Sequence, residues 1–287
     1  MTKEKITIYH SPDADDAFMF YGLTSGAVSD DKYAFDHDLS DIETLNQRAI
    51  RGEIDVTAVS VHAFAYLKNQ YAILTCGASM GGKDYGPRLV TSSDKRGEMT
   101  LANLKTIAIP GKHTSAALSL QLALREQGLE PELKIYDFKA VCDAVTSGAV
   151  DAGVIIHEGQ LTYEEDGLNL LLDLGDWWFQ KTHLPLPLGI NIARKSLGDS
   201  ALKASAQALY NSIDYSLKHR EQALDYAMTY ARGISREDAD TFVGMYVNEL
   251  TLDLGTDGKK SISLFLEEAA EYGLIPELPE LQFVQPN

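Results

Sequence analysis

Four short segments of the chain put hydroxyl, imidazole and carboxylate groups where an apolar run stops, the point at which a strand would deliver side chains to a ligand. The first is His10-Ser-Pro-Asp-Ala-Asp-Asp16, in which Ser11 and Asp16 could meet a polyhydroxy ligand. The same aspartates also suit the N-terminus of a helix electrostatically, with Asp13 as its cap, and both readings stand. Three carboxylates beside a proline could suggest a metal, but no second ligand cluster accompanies them, and no metal is expected. The second segment is Ala58-Val-Ser-Val-His62. Ala58, Val59 and Ser60 close an apolar run there, and Ser60 could bond a ligand carboxylate or only its own backbone.

The third segment is Pro110-Gly-Lys-His-Thr-Ser-Ala116. Gly111 permits a tight turn, and Thr114 and Ser115 fall where a helix begins. Outward amides with added hydroxyls form an anion site, although an ordinary N-cap uses the same residues. The fourth, Asp151-Ala-Gly-Val-Ile-Ile-His157-Glu158, ends an apolar strand in a His-Glu pair. A neutral imidazole delivered there can act as a general base near pH 7; a structural histidine bonded to Glu158 is the competing reading. Adjacent strand residues point to opposite faces, which counts against Glu158 orienting that ring. Trp177 and Trp178 could pack an aromatic ligand or fill a seam. Phosphate-loop, dinucleotide, nucleophile-elbow and zinc-helix patterns do not occur, so no cofactor is expected.

Short apolar runs alternate with amphipathic segments, the pattern of a largely parallel sheet flanked by helices. Strands are expected at Lys5–His10, Tyr33–Asp38, Asp55–Val61, Tyr71–Cys76 and Arg88–Ser92. Helices are expected over Asp41–Gly52 and, more briefly, His62–Asn69, with a glycine-rich loop at Gly77–Gly86. The polar stretch Ser93–Thr100 reads as a crossing to a second cycle, with strands at Thr106–Ile109, Leu133–Tyr136 and Ala152–Ile156. Leu184-Pro-Leu-Pro-Leu-Gly189 is too proline-rich for a central strand and suits a return crossing. Four helices follow: Ala201–Lys218, Arg220–Ala231, Arg236–Asn248 and Lys259–Tyr272. The expected architecture is α/β and two-lobed, of the type 2 periplasmic-binding-protein-like kind, with an interlobe cleft. The first lobe is expected to comprise residues 1–95 and 191–287, and the second 96–190.

A length of 287 residues with 45% hydrophobic and 23% charged side chains is that of a globular protein with material for two cores. The formal charge of -17 argues against nucleic acid and anionic membranes as partners. A small anionic substrate remains compatible, because local amides decide at short range. The opening residues carry no apolar stretch of signal-peptide length, and Cys76 and Cys142 have no metal-like spacing, so a cytoplasmic protein with two free thiols is expected. Monomer and homodimer are both compatible.

In order along the chain, these segments resemble a known family. Ser11-Pro12 with Asp16, Phe18 and Phe20-Tyr21 is similar to its opening motif. Asp41-Ile-Glu-Thr-Leu-Asn46, Pro110–Ser115, Ile155-Ile-His-Glu158, Leu184–Gly189 and Tyr246-Val-Asn248 follow in the family's sequence. The chain resembles the 1,4-dihydroxy-6-naphthoate synthases of the futalosine route to menaquinone. That resemblance implies a cofactor-independent carbon–carbon lyase acting on cyclic de-hypoxanthine futalosine, releasing dihydroxyacetone and an aromatised dihydroxynaphthoate. It also implies His157 as the base, with Ser60, Thr114 and Ser115 on the substrate. The opening motif departs from the family, reading Pro-Asp-Ala-Asp-Asp where other members carry Pro-Cys-Pro-Asn-Asp; this leaves the roles of Asp13 and Asp15 open. Two alternatives share the fold: a chorismate dehydratase of the same pathway and a solute-binding protein of an importer.

Overall fold

Runs rich in Val, Ile and Thr alternate with segments of helical spacing, and the chain folds accordingly into two sheets flanked by helices. The structure, a computed structural model, describes residues 3–67, 69–83, 85–230 and 235–287. Lys68 of the expected short helix, Asp84 of the glycine-rich loop and Ala231 at the end of an expected helix lie outside the described residues.

In chain order the first part runs β1 (Glu4–His10), α1 (Ala14–Thr24), β2 (Tyr33–Leu39), α2 (Ile42–Ile50), β3 (Val56–Ser60), α3 (Val61–Phe64), β4 (Tyr71–Leu74) and β5 (Ser79–Gly81). Next come β6 (Arg88–Ser92), β7 (Thr106–Ile109), α4 (Ser115–Glu126), β8 (Glu132–Ile135), α5 (Val141–Thr146) and β9 (Ala152–Ile155). Then follow α6 (Gly159–Thr162), β10 (Leu168–Asp173), α7 (Leu174–Thr182) and β11 (Leu186–Arg194). The remainder is helical: α8 (Asp199–Lys218), α9 (Arg220–Met228), α10 (Arg236–Tyr246), α11 (Glu249–Leu252) and α12 (Gly255–Glu271), before a short β12 (Phe283–Val284).

The first sheet has the order β12-β4-β11-β3-β1-β2, with β5 on β11; the second has β10-β6-β9-β7-β8. Both are mixed rather than mostly parallel. The antiparallel pairs lie where the chain enters and leaves a lobe, β6 on β9 and β11 on β3 and β4.

These pairings correct the expected lobe limits of 1–95 with 191–287 and 96–190. Arg88–Ser92, expected to end the first lobe, is β6 and hydrogen-bonds to β9 and β10 in the second sheet. The crossing therefore lies before it, at Gly86-Pro87, and the polar stretch Ser93–Thr100 runs within the second lobe. The return crossing also comes earlier, because Leu186–Gly189 opens β11, which sits between β3 and β4. Its prolines are tolerated there because β3 pairs only from Gly189 onward and the register beside β5 shifts between Pro187 and Gly189. The crossing is tight. A Cβ on Gly175 would lie 2.1 Å from the Tyr85 carbonyl oxygen, and one on Gly86 would lie 2.8 Å from the Gly175 Cα.

The C-terminal helices complete the first lobe: Leu209, Ile213, Leu224 and Val243 pack with Phe18, Met19 and Phe20 of α1. A second core runs through both lobes, from Val59 and Ile192 to Ile107, Leu118 and Leu122. Trp178 is buried in it, edge-on to Phe265 at 5.4 Å between ring centroids, and its Nε1 donates to Ser261 Oγ at 3.0 Å. Trp177 Nε1 donates to Glu126 Oε2 at 3.0 Å, so both rings serve packing between elements. Cys76 and Cys142 are free thiols, and burial pushes them up to about 12 and about 11. Among the described residues no helix is long and apolar enough to cross a membrane.

Candidate active site

The first lobe's strand ends and the second lobe's helix starts meet at one cavity. Ser11, Asp13, Asp15 and Asp16 form one wall, Ala58 and Ser60 another, and Thr114, Ser115 and Ala116 face them. Gly77, Ser79, Leu188 and Gly189 line it from the first lobe, and Ile156, Gln160, Phe242 and Tyr246 also contribute. Six of the eight expected site residues therefore converge. Val59 does not: strand alternation turns its side chain into the core, between Ala58 and Ser60, which face the cavity. His157 is also outside the lining, although its neighbour Ile156 is part of it.

Local chemistry explains the first wall. β1 ends at His10, whose buried ring stacks on Phe20 at 4.1 Å and whose Nδ1 lies 2.8 Å from the Ser11 carbonyl oxygen. Burial pushes that imidazole down to about 4, so it is neutral. The Ser11 N–H donates to Asp16 Oδ2 at 2.9 Å, and the Ser11 hydroxyl donates to Asp13 Oδ2 at 3.0 Å. Asp13 occupies the N-cap position of α1 but accepts from Ser11 and makes no side-chain cap. Asp15 receives the Ser79 hydroxyl at 3.4 Å.

These carboxyls lie deep in the cleft with few compensating cations. Burial, and then the charges of Asp16, Asp13 and Glu158, hold Asp15 well above the usual carboxylate range. Burial raises Asp16 to about 6 against the lowering effect of the Ser11 amide. Asp15 and Asp16 thus hold their protons to higher pH than ordinary carboxyls do.

Across the cavity, Thr114 caps α4: its Oγ1 accepts from the Ala117 N–H at 3.2 Å and donates to the Gly111 carbonyl at 3.0 Å. Ser115 Oγ donates to the Leu188 carbonyl at 2.6 Å, joining α4 to β11. Both hydroxyl protons are committed. What the turn presents instead are the amides of Ser115 and Ala116, which helix geometry leaves without intrahelical acceptors and which attract an anion. His62, buried at the start of α3, brings its Nδ1 within 3.2 Å of the Thr114 carbonyl and is pushed down to about 4 by burial.

α2 bridges the lobes. Its Asn46 accepts from the Ser60 N–H at 2.8 Å and donates to Ser60 Oγ at 3.1 Å. Glu43 accepts from the His113 N–H at 3.3 Å and from Gln47 Nε2 at 2.9 Å. Burial pushes Glu43 up, but the bonds from His113, Gln47 and Asn46 outweigh it and hold the carboxyl below its ordinary value.

His157 follows β9 in the turn before α6. Its Nδ1 accepts from the Gly159 N–H at 3.0 Å, and its ring meets Phe138 edge-on at 5.6 Å. An accepting Nδ1 places the proton of the neutral ring on Nε2. Glu158 is buried beside it, its charge acting on Asp15.

Sequence reasoning missed Gln160, Ser79 and the carboxyl role of Asp15. Tyr246 was visible only as part of a motif. Its phenol donates to Gln160 Oε1 at 2.8 Å across the lobes. No local pattern marks a glutamine one helical turn after a strand, and its function comes from the partner lobe. Among the described residues no cluster of His, Cys, Asp and Glu fits a metal ion.

Two mixed sheets, two crossings and a cavity between the lobes define a protein of periplasmic-binding-protein-like α/β fold. The alkanesulfonate-binding protein of Xanthomonas axonopodis pv. citri, bound to MOPS, shares this fold at a TM-score of 0.72 and 12% identity, covering 99% of this chain and 100% of that one. Residues 6–271 match the family described as menaquinone biosynthesis, and the chain belongs to that family. It is 36% identical to the 1,4-dihydroxy-6-naphthoate synthase of Thermus thermophilus, over 98% of this chain and 100% of the relative. It is 37% identical to the enzyme of the same name from Streptomyces coelicolor, over 97% of each. The crystal structure of protein AF1704 from Archaeoglobus fulgidus superimposes with a TM-score of 0.87 at 40% identity, covering 94% and 98% of the two chains.

Proposed function

We propose that this chain is a carbon–carbon lyase that converts cyclic de-hypoxanthine futalosine into 1,4-dihydroxy-6-naphthoate and dihydroxyacetone. The observation that carries the reading is the convergence, in one interlobe cavity, of anion-attracting amides at α4, the Ser60 hydroxyl and the carboxyls of Asp15 and Asp16, both raised above the ordinary range. Full-length identity to two synthases supports the substrate assignment. The α4 amides and Ser60 take the substrate carboxylate. Asp15 and Asp16 face its sugar-derived oxygens.

His157 removes a proton from the bound substrate, the carbon–carbon bond to the three-carbon fragment breaks, and the departing fragment takes up a proton to leave as dihydroxyacetone, with aromatisation driving release. For Nδ1 to take that proton, the imidazole turns from the Gly159 amide toward the cavity beside Ile156. Exclusion of water between the lobes strengthens each polar contact. A solute-binding role is the rival that fold alone leaves open. Identity to synthases along the whole chain, and not the fold, favours catalysis.

Incubating the protein separately with cyclic de-hypoxanthine futalosine and with chorismate, and following products by absorbance and mass, tests the assignment. Naphthoate and dihydroxyacetone in equal amounts are expected from the first only. Turnover of chorismate alone would reassign the chain to the dehydratase reaction. Binding without turnover of either would favour the solute-binding role.

A further inference from the structure

We propose that Asn46 is a positioning residue for the substrate site: it holds Ser60 so that the serine's own proton is donated into the cavity. The inference rests on the reading that this cavity takes an anionic substrate. The Ser60 N–H can only donate, so the Asn46 oxygen must face it, and it does so at 2.8 Å. This leaves the Asn46 NH2 facing Ser60 Oγ at 3.1 Å, which makes the serine oxygen an acceptor there. The hydroxyl proton must then point elsewhere, and Ser60 lines the cavity.

Other hydroxyls on the cavity wall are already used. Ser11 donates to Asp13, Thr114 to the Gly111 carbonyl and Ser115 to the Leu188 carbonyl. Ser60 is therefore the hydroxyl among these four whose proton is available to a substrate oxygen, and a charge-assisted bond to a carboxylate is its strongest use. Asn46 is fully buried and does not itself line the cavity. Its NH2 also lies 3.4 Å from the His113 carbonyl, tying the end of β3 to the turn that leads into α4. The shorter bonds, at 2.8 and 3.1 Å, are the two to Ser60, and they set the serine.

The test is a double-mutant cycle of Asn46→Ala and Ser60→Ala, with folding checked by circular dichroism. Each single change is expected to raise KM about tenfold, the effect of losing a hydrogen bond to a charged group, with kcat little altered. In the Ser60→Ala background, Asn46→Ala should cost less than about twofold more, because its role is exercised through Ser60. Effects that multiply would overturn the proposal.

Asn46→Asp keeps the shape and guards against a folding failure. Its carboxylate accepts from both the Ser60 N–H and the Ser60 hydroxyl, so the proton turns away from the cavity and KM should rise at least as far. A wild-type KM in Asn46→Asp would contradict the inference. If the wild type does not turn over the substrate, the functional reading fails. Crystal structures of wild type and Asn46→Ala then decide this inference separately: an unchanged Ser60 rotamer in Asn46→Ala overturns it.

Discussion

The phenol of Tyr246, on α10 of the first lobe, donates to the amide oxygen of Gln160, on α6 of the second, at 2.8 Å. Both side chains are buried and both line the cavity, so this bond ties the two lobes at the site. Replacing Tyr246 with Phe removes the donor and leaves the Gln160 oxygen buried without it. The expected cost is about 1–3 kcal/mol in unfolding free energy, with a higher KM. Urea unfolding and substrate titration of Tyr246→Phe check both, and an unchanged midpoint and KM would show that the bond is incidental.

The buried titratable groups give opposing pH dependences. His10 and His62 are pushed down to about 4 by burial, whereas an unfolded chain protonates near the ordinary histidine value. Between roughly pH 6.5 and 4 the unfolded state therefore binds more protons, and their contribution to stability falls as pH drops. Asp16, raised to about 6 by burial, acts the other way: the folded state holds a proton that the unfolded chain has released, and this contribution is lost as pH rises through that value. Asp16→Asn removes only the second slope. Relative to wild type, the variant should gain stability as pH rises from about 4 to 7, read from urea midpoints. A difference independent of pH would mean that Asp16 is ionised throughout.

At the first crossing, a Cβ on Gly175 would fall 2.1 Å from the Tyr85 carbonyl oxygen and 2.8 Å from that of Gly82, both backbone atoms that cannot swing aside. Gly175→Ala should therefore destabilise the protein by about 1–3 kcal/mol or more through overpacking. Thermal unfolding measures this, and a wild-type melting temperature would show that the crossing yields.

Much of this arrangement can be read from residue order, because strand ends and helix starts carry local signals. The apolar run to Ser60, the cap at Thr114 and the turn after Ile155 fall at the expected places. Arg88–Ser92 and Leu186–Arg194 mislead because a strand's sheet is set by its partners, and nothing within either segment specifies β9 or β3. Pro187 lowers strand propensity where only a shifted register tolerates it. Hydroxyl roles were illegible for the same reason: Ser115 donates to Leu188, 73 positions along the chain. Nor does a His-Glu pair indicate that the imidazole accepts from the Gly159 amide.

The most direct test of the account is the rate of dihydroxynaphthoate formation from cyclic de-hypoxanthine futalosine by wild type and by folded His157→Asn. Steady product is expected from wild type, with a fall of about a hundred- to ten-thousand-fold in the variant, the range for a positioned base. A loss of less than about tenfold would contradict the assignment of His157 as that base. Absence of product from the wild type itself would contradict the lyase reading.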